Sequence, residues 1–302
     1  MSTFWRYILV SLSASIVLVF AAAFSLPDNR LHLVFCDIGQ GDAILIYRGQ
    51  TQILIDGGPD RSVLSCLSRH MPFWDRKIEL IVLTNPDLDH YEGFIDVLRR
   101  YDVGLFTSPG IIKDDQGFKA LLDVIKRNHV SNRVTTAGES LKVGGINLYA
   151  LWPTRDYLSE RQDYFSGDLN TFNPKEDISG KSSESVNKWS LVFKLSYGEF
   201  KALLTGDIVP PATDLSIEDL DTSVEVLKVP HHGSKNGLTQ GMLDKAKPKL
   251  AVISVGKKNR YGHPNKETLD ILQKNKIKTL RTDLDGEVEV ITDGKSWGLW
   301  GR

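Results

Sequence analysis

The chain has 302 residues, of which 41% are apolar, and its formal net charge at pH 7 is −1. This length and apolar content are enough for one large hydrophobic core or two smaller ones, so a single α/β domain is possible. The nearly balanced charge excludes a protein that grips nucleic acid through a general basic excess, because such binding depends on neutralising many phosphates. Any contact with nucleic acid must therefore come from a local patch of the surface.

A run without charged residues covers residues 7–26 and is preceded by Arg6. About 20 residues of α-helix span about 30 Å, the thickness of the hydrocarbon core of a bilayer, so this run predicts a transmembrane helix that anchors the protein in the membrane. The alternative is a cleaved signal peptide, because alanines stand at 21–23 and such peptides end in small residues. Either segment predicts that the rest of the chain lies outside the cytoplasm, membrane-anchored in the first case and secreted in the second. Lys and Arg are enriched on the cytoplasmic side of membrane helices, so Arg6 on the amino side agrees with this orientation.

Residues 1–30 are therefore assigned to the anchor or signal segment and residues 31–302 to one folded domain. Apolar runs and helical patterns alternate in this domain, which predicts sheets covered by helices rather than one parallel sheet. Between residues 156 and 188 the composition shifts to Ser, Asn, Asp, Gly and Lys. This stretch predicts a long surface loop that is either disordered or a lid over a site.

The two cysteines, Cys36 and Cys66, are predicted to lie in a strand and in a helix. Neither has the spacing of a metal-binding thiolate. A disulfide stays open as an alternative, and we interpret the pair as two buried free thiols.

The chemistry of the chain centres on the end of an apolar run at residues 78–83, which predicts a buried strand. Pro86 prevents the strand from continuing, and Asp87, Asp89 and His90 follow within four positions. Ligands bind at the carboxyl ends of strands in α/β proteins, because the loops there are free of packing while the sheet holds them rigidly. The alternative is a polar turn in which Asp89 caps the next helix.

Two later stretches have the same form, an apolar run that leads into polar residues. The first covers residues 202–207 and ends in Asp207, and the second covers residues 226–235 and contains His231 and His232. Together the three stretches supply carboxylates and imidazoles, which are ligands for zinc, manganese or iron, without the cysteine pattern of a structural zinc site. The sequence therefore predicts a metal centre.

These motifs, in this order, resemble those of the metallo-β-lactamase fold, and specifically the exported domain of ComEC-like competence proteins. The resemblance extends from about residue 33 to about residue 292. It rests on six segments in the family's order: Asp-Ile-Gly-Gln-Gly-Asp at 37–42, Asn-Pro-Asp-Leu-Asp-His at 85–90, Asn-Lys-Trp-Ser-Leu-Val at 187–192, Leu-Leu-Thr-Gly-Asp at 203–207, Val-Pro-His-His-Gly-Ser-Lys at 229–235 and Tyr-Gly-His-Pro at 261–264. The resemblance implies an α/β fold of four layers, an αββα sandwich, that carries one or two divalent metal ions, zinc or manganese, between its sheets.

Carried over by position, the resemblance also implies which residues hold the metal. Asp89 and His90 would bind one ion together with one histidine of the adjacent pair, and Asp207 would bridge to the other ion. We favour His231 over His232 as this ligand, because His231 follows the strand directly.

The first ion would also involve Asp87 and Asn85, and at the asparagine the family usually has a histidine. An amide oxygen is a neutral and weaker ligand for zinc than an imidazole, so this ion should bind poorly or be replaced by a harder metal. Asn85 is alternatively a turn residue before Pro86. Asp56, which precedes two glycines, and Asn187 are assigned to supporting positions around the ligands.

Three residues are assigned to catalysis. Asp89 is both a ligand and a catalytic residue. His263 is either an acid on the substrate side or a turn residue before Pro264, and Lys235 is either a phosphate contact or an ordinary exposed lysine.

The resemblance implies metal-assisted hydrolysis of a phosphodiester, in which metal binding lowers the pKa of water from about 15.7 towards 7. The expected substrate is single-stranded DNA outside the cell, and a separate DNA-uptake partner would carry the strand across the membrane. Two alternatives stay open. One is hydrolysis of another extracellular ester, such as a phosphocholine-bearing cell-wall polymer, which suits the balanced charge. The other is a binding module with reduced catalysis, which Asn85 suggests.

Overall fold

The computed structural model describes residues 3–24, 28–159 and 185–301. In these residues the strands are β1 (Leu31–Phe35), β2 (Ile44–Arg48), β3 (Thr51–Ile55), β4 (Lys77–Val82), β5 (Asp102–Ser108), β6 (Asn132–Val134), β7 (Ser140–Val143), β8 (Ile146–Trp152), β9 (Val192–Tyr197), β10 (Phe200–Leu204), β11 (Val226–Lys228), β12 (Leu250–Ile253), β13 (Lys278–Arg281), β14 (Val288–Thr292) and β15 (Trp297–Leu299). The helices are α1 (Thr3–Phe24), α2 (Val63–His70), α3 (Leu88–Leu98), α4 (Gln116–Arg127), α5 (Arg155–Ser159), α6 (Ala212–Leu215), α7 (Gln240–Ala246), α8 (Lys266–Lys274) and α9 (Thr282–Asp285). Short 3-10 helices cover Val186–Trp189 and Pro230–Gly233. Most of the surface loop predicted at 156–188 lies outside the described residues.

The described strands form two mixed sheets. One has eight strands in the order β15-β14-β1-β2-β3-β4-β5-β6, and the other has seven in the order β13-β12-β11-β10-β9-β8-β7. The strands β3, β4 and β5 run parallel in the first sheet, and β10, β11, β12 and β13 run parallel in the second. Because parallel strands end at the same edge of a sheet, the loops after β3 and β4 lie side by side, as do the loops after β10, β11 and β12.

Alternating apolar residues build the core between the two sheets. In β1, Leu31 and Leu33 belong to one buried cluster and Val34 belongs to another, as the two-residue period of a strand requires. The cluster of Leu31 also contains residues of the second sheet, such as Phe193 and Leu250. This cluster therefore fills the space between the sheets.

Helices cover the outer face of each sheet. The helices α2, α3 and α4 pack on the first sheet through residues such as Leu67, Phe94 and Leu121. The helices α6, α7 and α8 pack on the second sheet, through residues such as Met242 and Leu272. The order of layers is helix, sheet, sheet, helix, and the predicted αββα sandwich is confirmed.

The amino-terminal helix α1 does form. Within the residues that the structure describes, however, no helix is both long and apolar enough to cross a membrane. The predicted transmembrane helix is therefore not supported.

Cys36 and Cys66 form a disulfide, so the interpretation of two free thiols is wrong. Cys36 directly follows β1 and belongs to the cluster under the outer helices, where Cys66 of α2 is also buried. Their Cα atoms are 5.9 Å apart, within the range that a disulfide bridges. The spacing along the chain did not reveal this contact, because it depends on how α2 packs on the sheet.

Replacing both cysteines by alanine should lower the free energy of unfolding by about 2–4 kcal/mol, because the disulfide restricts the unfolded chain. The two residues are 30 positions apart. Urea unfolding of the chain and of Cys36→Ala/Cys66→Ala measures the difference. With a reductant added, the unmodified chain should unfold like the variant, and the variant itself should not respond. Equal stability of the two proteins without reductant would contradict the prediction.

Candidate metal centre

The candidate metal centre lies where parallel strands of both sheets end. Asp56 follows β3, and Asp89 and His90 lie in the first turn of α3, after β4. Asp207 follows β10, and His232 follows β11. The first three residues come from one sheet and the last two from the other, so the centre is built between the carboxyl ends of the two sheets.

The loop between β1 and β2 approaches α3 closely at Gly41. A Cβ atom at this position would lie 2.4 Å from the backbone oxygen of Asp89, and the glycine has a φ of +140°, so that no larger residue fits. The approach lets the backbone N–H of Asp42 donate to the same oxygen at 3.1 Å. It thereby brings the buried carboxylate of Asp42 to the centre.

The adjacent histidines share a left-handed backbone, with φ of 50° at His231 and 53° at His232. A residue with a side chain costs of order 1 kcal/mol or more in this region and stays there only where its surroundings enforce it. Here the backbone N–H of His231 donates to the oxygen of Gly206 at 3.2 Å, and Nδ1 of His232 donates to the oxygen of Ser254 at 2.9 Å. The turn directs His232 into the interior and leaves His231 half-buried at the surface of the centre.

Four ligand atoms from four side chains converge at the centre. Nε2 of His90 and Nε2 of His232 lie 3.2 Å and 3.3 Å from Oδ2 of Asp207. Oδ2 of Asp89 lies 3.4 Å from Nε2 of His232. Ligand atoms at the corners of a tetrahedron around zinc, with bonds of about 2.0–2.1 Å, are about 3.3–3.4 Å apart. The pairs that Asp207 forms with the two histidines, and the pair of Asp89 with His232, therefore have the spacing of ligands around one ion, whereas His90 and Asp89 form no contact within 4.0 Å.

The hydrogen bonding of the two imidazoles also fits a cation. Both Nε2 atoms are buried, and neither has a hydrogen-bond partner among the described residues. Both Nδ1 atoms are engaged, that of His90 with Oδ2 of Asp56 at 2.9 Å and that of His232 with the oxygen of Ser254. Such partners hold the ring of a metal ligand so that its other nitrogen faces the metal. A divalent cation between these nitrogens and the carboxylate of Asp207 would supply the partner that hydrogen bonding does not.

Asp42 is a further buried carboxylate that the sequence analysis did not assign to the site. It forms, with His90, Asp207 and His232, a group whose ligand atoms all lie within 4.8 Å of one another. Its oxygens face the Nδ1 atoms, however, at 3.7 Å from His232 and 4.0 Å from His90. Asp42 and Asp89 are therefore the two carboxylates that could complete a ligand set with His90, Asp207 and His232.

Lys228 supplies a positive charge inside the centre. Its side chain is fully buried, and its Nζ atom pairs with the carboxylate of Asp42 and lies 3.6 Å from Oδ1 of Asp207. The same Nζ donates to the backbone oxygen of Gly206 at 2.8 Å. Burial alone would lower the pKa of Lys228, but the two carboxylates outweigh burial and hold this pKa above its usual value. A lysine inside the apolar run of β11 is the signal that could have identified it from the sequence.

The carboxylates dominate the electrostatics of the centre. Burial disfavours charged imidazoles, yet Asp207 and its acidic neighbours raise the pKa of His90 well above its usual value and the pKa of His232 to about 10. Burial likewise opposes ionisation of Asp207, but His232 and His90 hold its pKa well below the usual range. The centre thus attracts positive charge, and a divalent cation that binds there displaces the protons of the imidazoles.

Asn85 and Asp87, which the resemblance assigns to a metal ion, are engaged in other contacts. Asn85 is fully buried, and its amide donates to Oδ1 of Asn187 at 2.8 Å and to Oγ of Ser190 at 3.1 Å. Its Oδ1 accepts from the backbone N–H of Asp87 at 2.9 Å. The carboxylate of Asp87 pairs with Nζ of Lys113 at 2.5 Å. Asn85 therefore joins the loop after β4 to the segment of Asn187 and Ser190. Around Asn85 and Asp87 the site offers amides and a lysine, whereas around Asp207 it offers imidazoles.

A cavity of about 330 Å³ opens onto the ligands. It is lined by Gln40, Asp87, Leu88, Asp89, Lys113, Asn187, Asp207, His231, His232, Tyr261 and His263. The rings of His231 and His263 are 5.7 Å apart, and burial lowers the pKa of both, so that both are largely neutral at pH 7. The structure thus brings His263 to the site as expected, whereas Lys235 is exposed on the turn after the histidine pair and does not line this cavity.

Comparison with known proteins agrees with this geometry. Residues 36–257 match the metallo-beta-lactamase superfamily. The chain is 28% identical to ComE operon protein 3 of Bacillus subtilis, over 84% of this chain and 32% of that protein. It is 26% identical to Recombination protein 2 of Haemophilus influenzae, over 84% of this chain and 28% of that protein. It is 24% identical to Competence protein ComA of Neisseria gonorrhoeae, over 88% of this chain and 33% of that protein. The chain thus spans about a third of the length of these relatives.

Solved structures show the same fold. The metallo-beta-lactamase fold protein YhfI of Bacillus subtilis superposes with a TM-score of 0.53 at 10% identity, over 86% of this chain and 99% of that one. CmlA, a diiron beta-hydroxylase from Streptomyces venezuelae, superposes with a TM-score of 0.50 at 14% identity, over 88% of this chain and 54% of that one. At these identities the likeness concerns the fold alone. The layered architecture, the convergent His and Asp residues and the match over residues 36–257 agree, and the chain belongs to the metallo-beta-lactamase superfamily.

Proposed function

We propose that this protein is a metal-dependent phosphodiesterase that cleaves single-stranded DNA outside the cytoplasm. The observation that carries the proposal is the convergence of His90, His232, Asp207 and Asp89 beneath an open cavity. Two imidazoles and two carboxylates suit zinc or manganese. Because Asn85 and the residues around it are engaged elsewhere, we expect one ion per chain.

The residues around the ion have separable tasks in this reaction. A divalent ion bound there would supply Lewis acidity towards a phosphate oxygen and lower the pKa of the attacking water. Asp56 and Ser254 hold the two ligand imidazoles in orientation. Lys228 balances part of the charge of the carboxylates, so that the site does not depend on a second ion.

His231 and His263 are suited to handle protons at the cavity. Both rings line it, and both are largely neutral at pH 7 because burial lowers the pKa of each. A neutral imidazole accepts a proton from the attacking water and can pass it on to the leaving oxygen. Lys113, at the opening of the same cavity, offers an ammonium group to a phosphate if it leaves Asp87.

The choice of DNA rests on the relatives, whose names refer to competence and recombination. The location outside the cytoplasm is supported by the disulfide between Cys36 and Cys66, because such bonds persist mainly in oxidising compartments. In that location an uptake partner would receive the remaining strand and carry it across the membrane.

The proposal is tested with purified protein that has been stripped of metal with a chelator and reloaded with zinc or manganese. We expect about one bound ion per chain, hydrolysis of a generic phosphodiester, and cleavage of a labelled DNA single strand. Asp89→Asn should lose both the ion and the activity. Asp37→Asn is the matched control, because Asp37 is an exposed aspartate of the adjacent loop, and it should behave like the unmodified protein.

Two results would each replace the proposal by an alternative. Cleavage of phosphocholine esters without cleavage of DNA would indicate a hydrolase of a cell-wall polymer. Binding of the ion without hydrolysis of any of these esters would indicate a binding module.

A further inference from the structure

The loop between β12 and α8 carries an exposed aromatic residue to the opening of the metal cavity. Tyr261 lines this cavity together with Asp89 and Asp207, yet 55% of its surface is exposed. Its ring lies nearly parallel to that of His263, with centroids 5.9 Å apart and an angle of 17°. With more than half of its surface exposed, the ring is available to a ligand that enters the cavity.

The same loop is rich in cations. Lys257, Lys258 and Arg260 are all exposed, and no described acidic residue forms an ion pair with any of them within 4.0 Å. The guanidinium of Arg260 lies 5.6 Å from the ring centroid of Tyr261. The bottom of the cavity is acidic and suited to a metal ion, whereas the loop that brings Tyr261 to its opening is basic and suited to phosphates.

The backbone of the loop is held in place by hydrogen bonds. The side chain of Asn259 donates to the oxygens of Gly256 and His263 at 2.9 Å and 2.8 Å, and it accepts from the N–H of His263 at 2.9 Å. The N–H of Asn265 donates to the oxygen of Gly233 at 2.9 Å, which joins the loop to the turn that carries the metal-ligand histidine. Tyr261 is therefore presented at a fixed distance from the metal ligands.

We infer that Tyr261 is a stacking platform for a nucleobase and that Lys257, Lys258 and Arg260 hold the phosphates beside it, so that the site selects single-stranded DNA. The inference rests on the proposed function and adds the recognition of the strand to it. An aromatic ring that stacks on a base and cations that track the backbone are the two elements by which proteins bind single strands. A base in a duplex is already stacked between its neighbours, so the platform discriminates against double-stranded DNA.

The test is equilibrium binding of labelled oligonucleotides to the full chain, with a chelator present so that no cleavage occurs. The oligonucleotides are a thymidine single strand, an abasic strand of equal length and charge, and a duplex. The unmodified protein should prefer the thymidine strand over the abasic strand by roughly 5- to 150-fold, the range expected for one stacked base. Tyr261→Ala should abolish this preference and Tyr261→Phe should retain it.

The controls separate stacking from charge and from general exposure of an aromatic ring. Phe73→Ala removes an aromatic residue that is 79% exposed before β4, at the strand end opposite the metal centre, and it should change nothing. Lys257→Ala and Lys258→Ala should weaken binding of thymidine and abasic strands equally, and each should reduce the salt dependence by roughly 0.7 in the logarithmic slope.

An unchanged preference for the thymidine strand in Tyr261→Ala would overturn the inference, and so would equal binding of duplex and single strand by the unmodified protein. Because binding is measured without cleavage, the result does not depend on the proposed activity. Preference that requires Tyr261 without hydrolysis after metal is added would support the platform and refute the phosphodiesterase. Hydrolysis of DNA with no role for Tyr261 in binding would support the phosphodiesterase and refute the platform.

Discussion

His232→Ala should lose the metal ion and reduce phosphodiester hydrolysis by more than about 100-fold, because even the outer partners of metal ligands are worth roughly 10–100-fold. His231→Ala should keep the ion and lose only part of the activity. His232 is buried and its Nδ1 donates to Ser254, so the folding of both variants is checked first by circular dichroism without metal. The difference follows from their orientation, since Nε2 of His232 lies 3.3 Å from Asp207 Oδ2 and Nε2 of His231 lies 3.9 Å from it.

The shift of the unfolding midpoint on adding zinc measures the difference between His231 and His232 without an activity assay. A ligand present at 100 times its dissociation constant stabilises the folded protein by about 2.7 kcal/mol. Zinc should therefore raise the unfolding midpoint of the unmodified protein and of His231→Ala, but not that of His232→Ala. If His231→Ala lost the zinc response and His232→Ala retained it, the assignment would reverse to the residue that the sequence analysis favoured.

The positions of most site residues could be predicted from the sequence, because they follow apolar runs that form parallel strands. Asp56 after β3 and Asp207 after β10 are far apart in the chain, yet His90 contacts both, at 2.9 Å and 3.2 Å. The cause is that the carboxyl ends of strands in the two facing sheets meet at the same side of the sandwich, which brings these loops together whatever their separation in sequence. The family motifs contain His90 and Asp207, so pattern and resemblance agreed for these two residues.

Other features depended on backbone angles and packing that no pattern in this sequence encodes. A left-handed turn directs His232 rather than His231 into the interior, and the order of the residues after the strand does not indicate this orientation. The disulfide required α2 to pack over the end of β1. Asn85 was expected to weaken a metal site, whereas both ends of its amide form structural hydrogen bonds that depend on Asn187, about a hundred residues further along the chain.

Lys228→Met should destabilise the metal-free protein by about 3–5 kcal/mol, the usual effect of removing one partner from a buried ion pair. The methionine fills much of the same volume, so the loss comes mainly from the carboxylate of Asp42, which stays buried without its cation. Lys228→Met/Asp42→Asn removes the unpaired charge and should recover most of the stability. Urea unfolding in the presence of a chelator measures all three proteins.

The same variant tests whether Lys228 acts on the metal site through its charge. Removing a positive charge 3.6 Å from Asp207 makes the centre more negative, so a divalent ion should stabilise Lys228→Met by more than it stabilises the unmodified protein. Lys194→Met is the matched control, because its partner Asp221 is largely exposed and loss of a surface pair costs about 1 kcal/mol or less. A loss of stability in Lys228→Met as small as in Lys194→Met, or an unchanged response to metal, would show that Lys228 does not balance the charge of this centre.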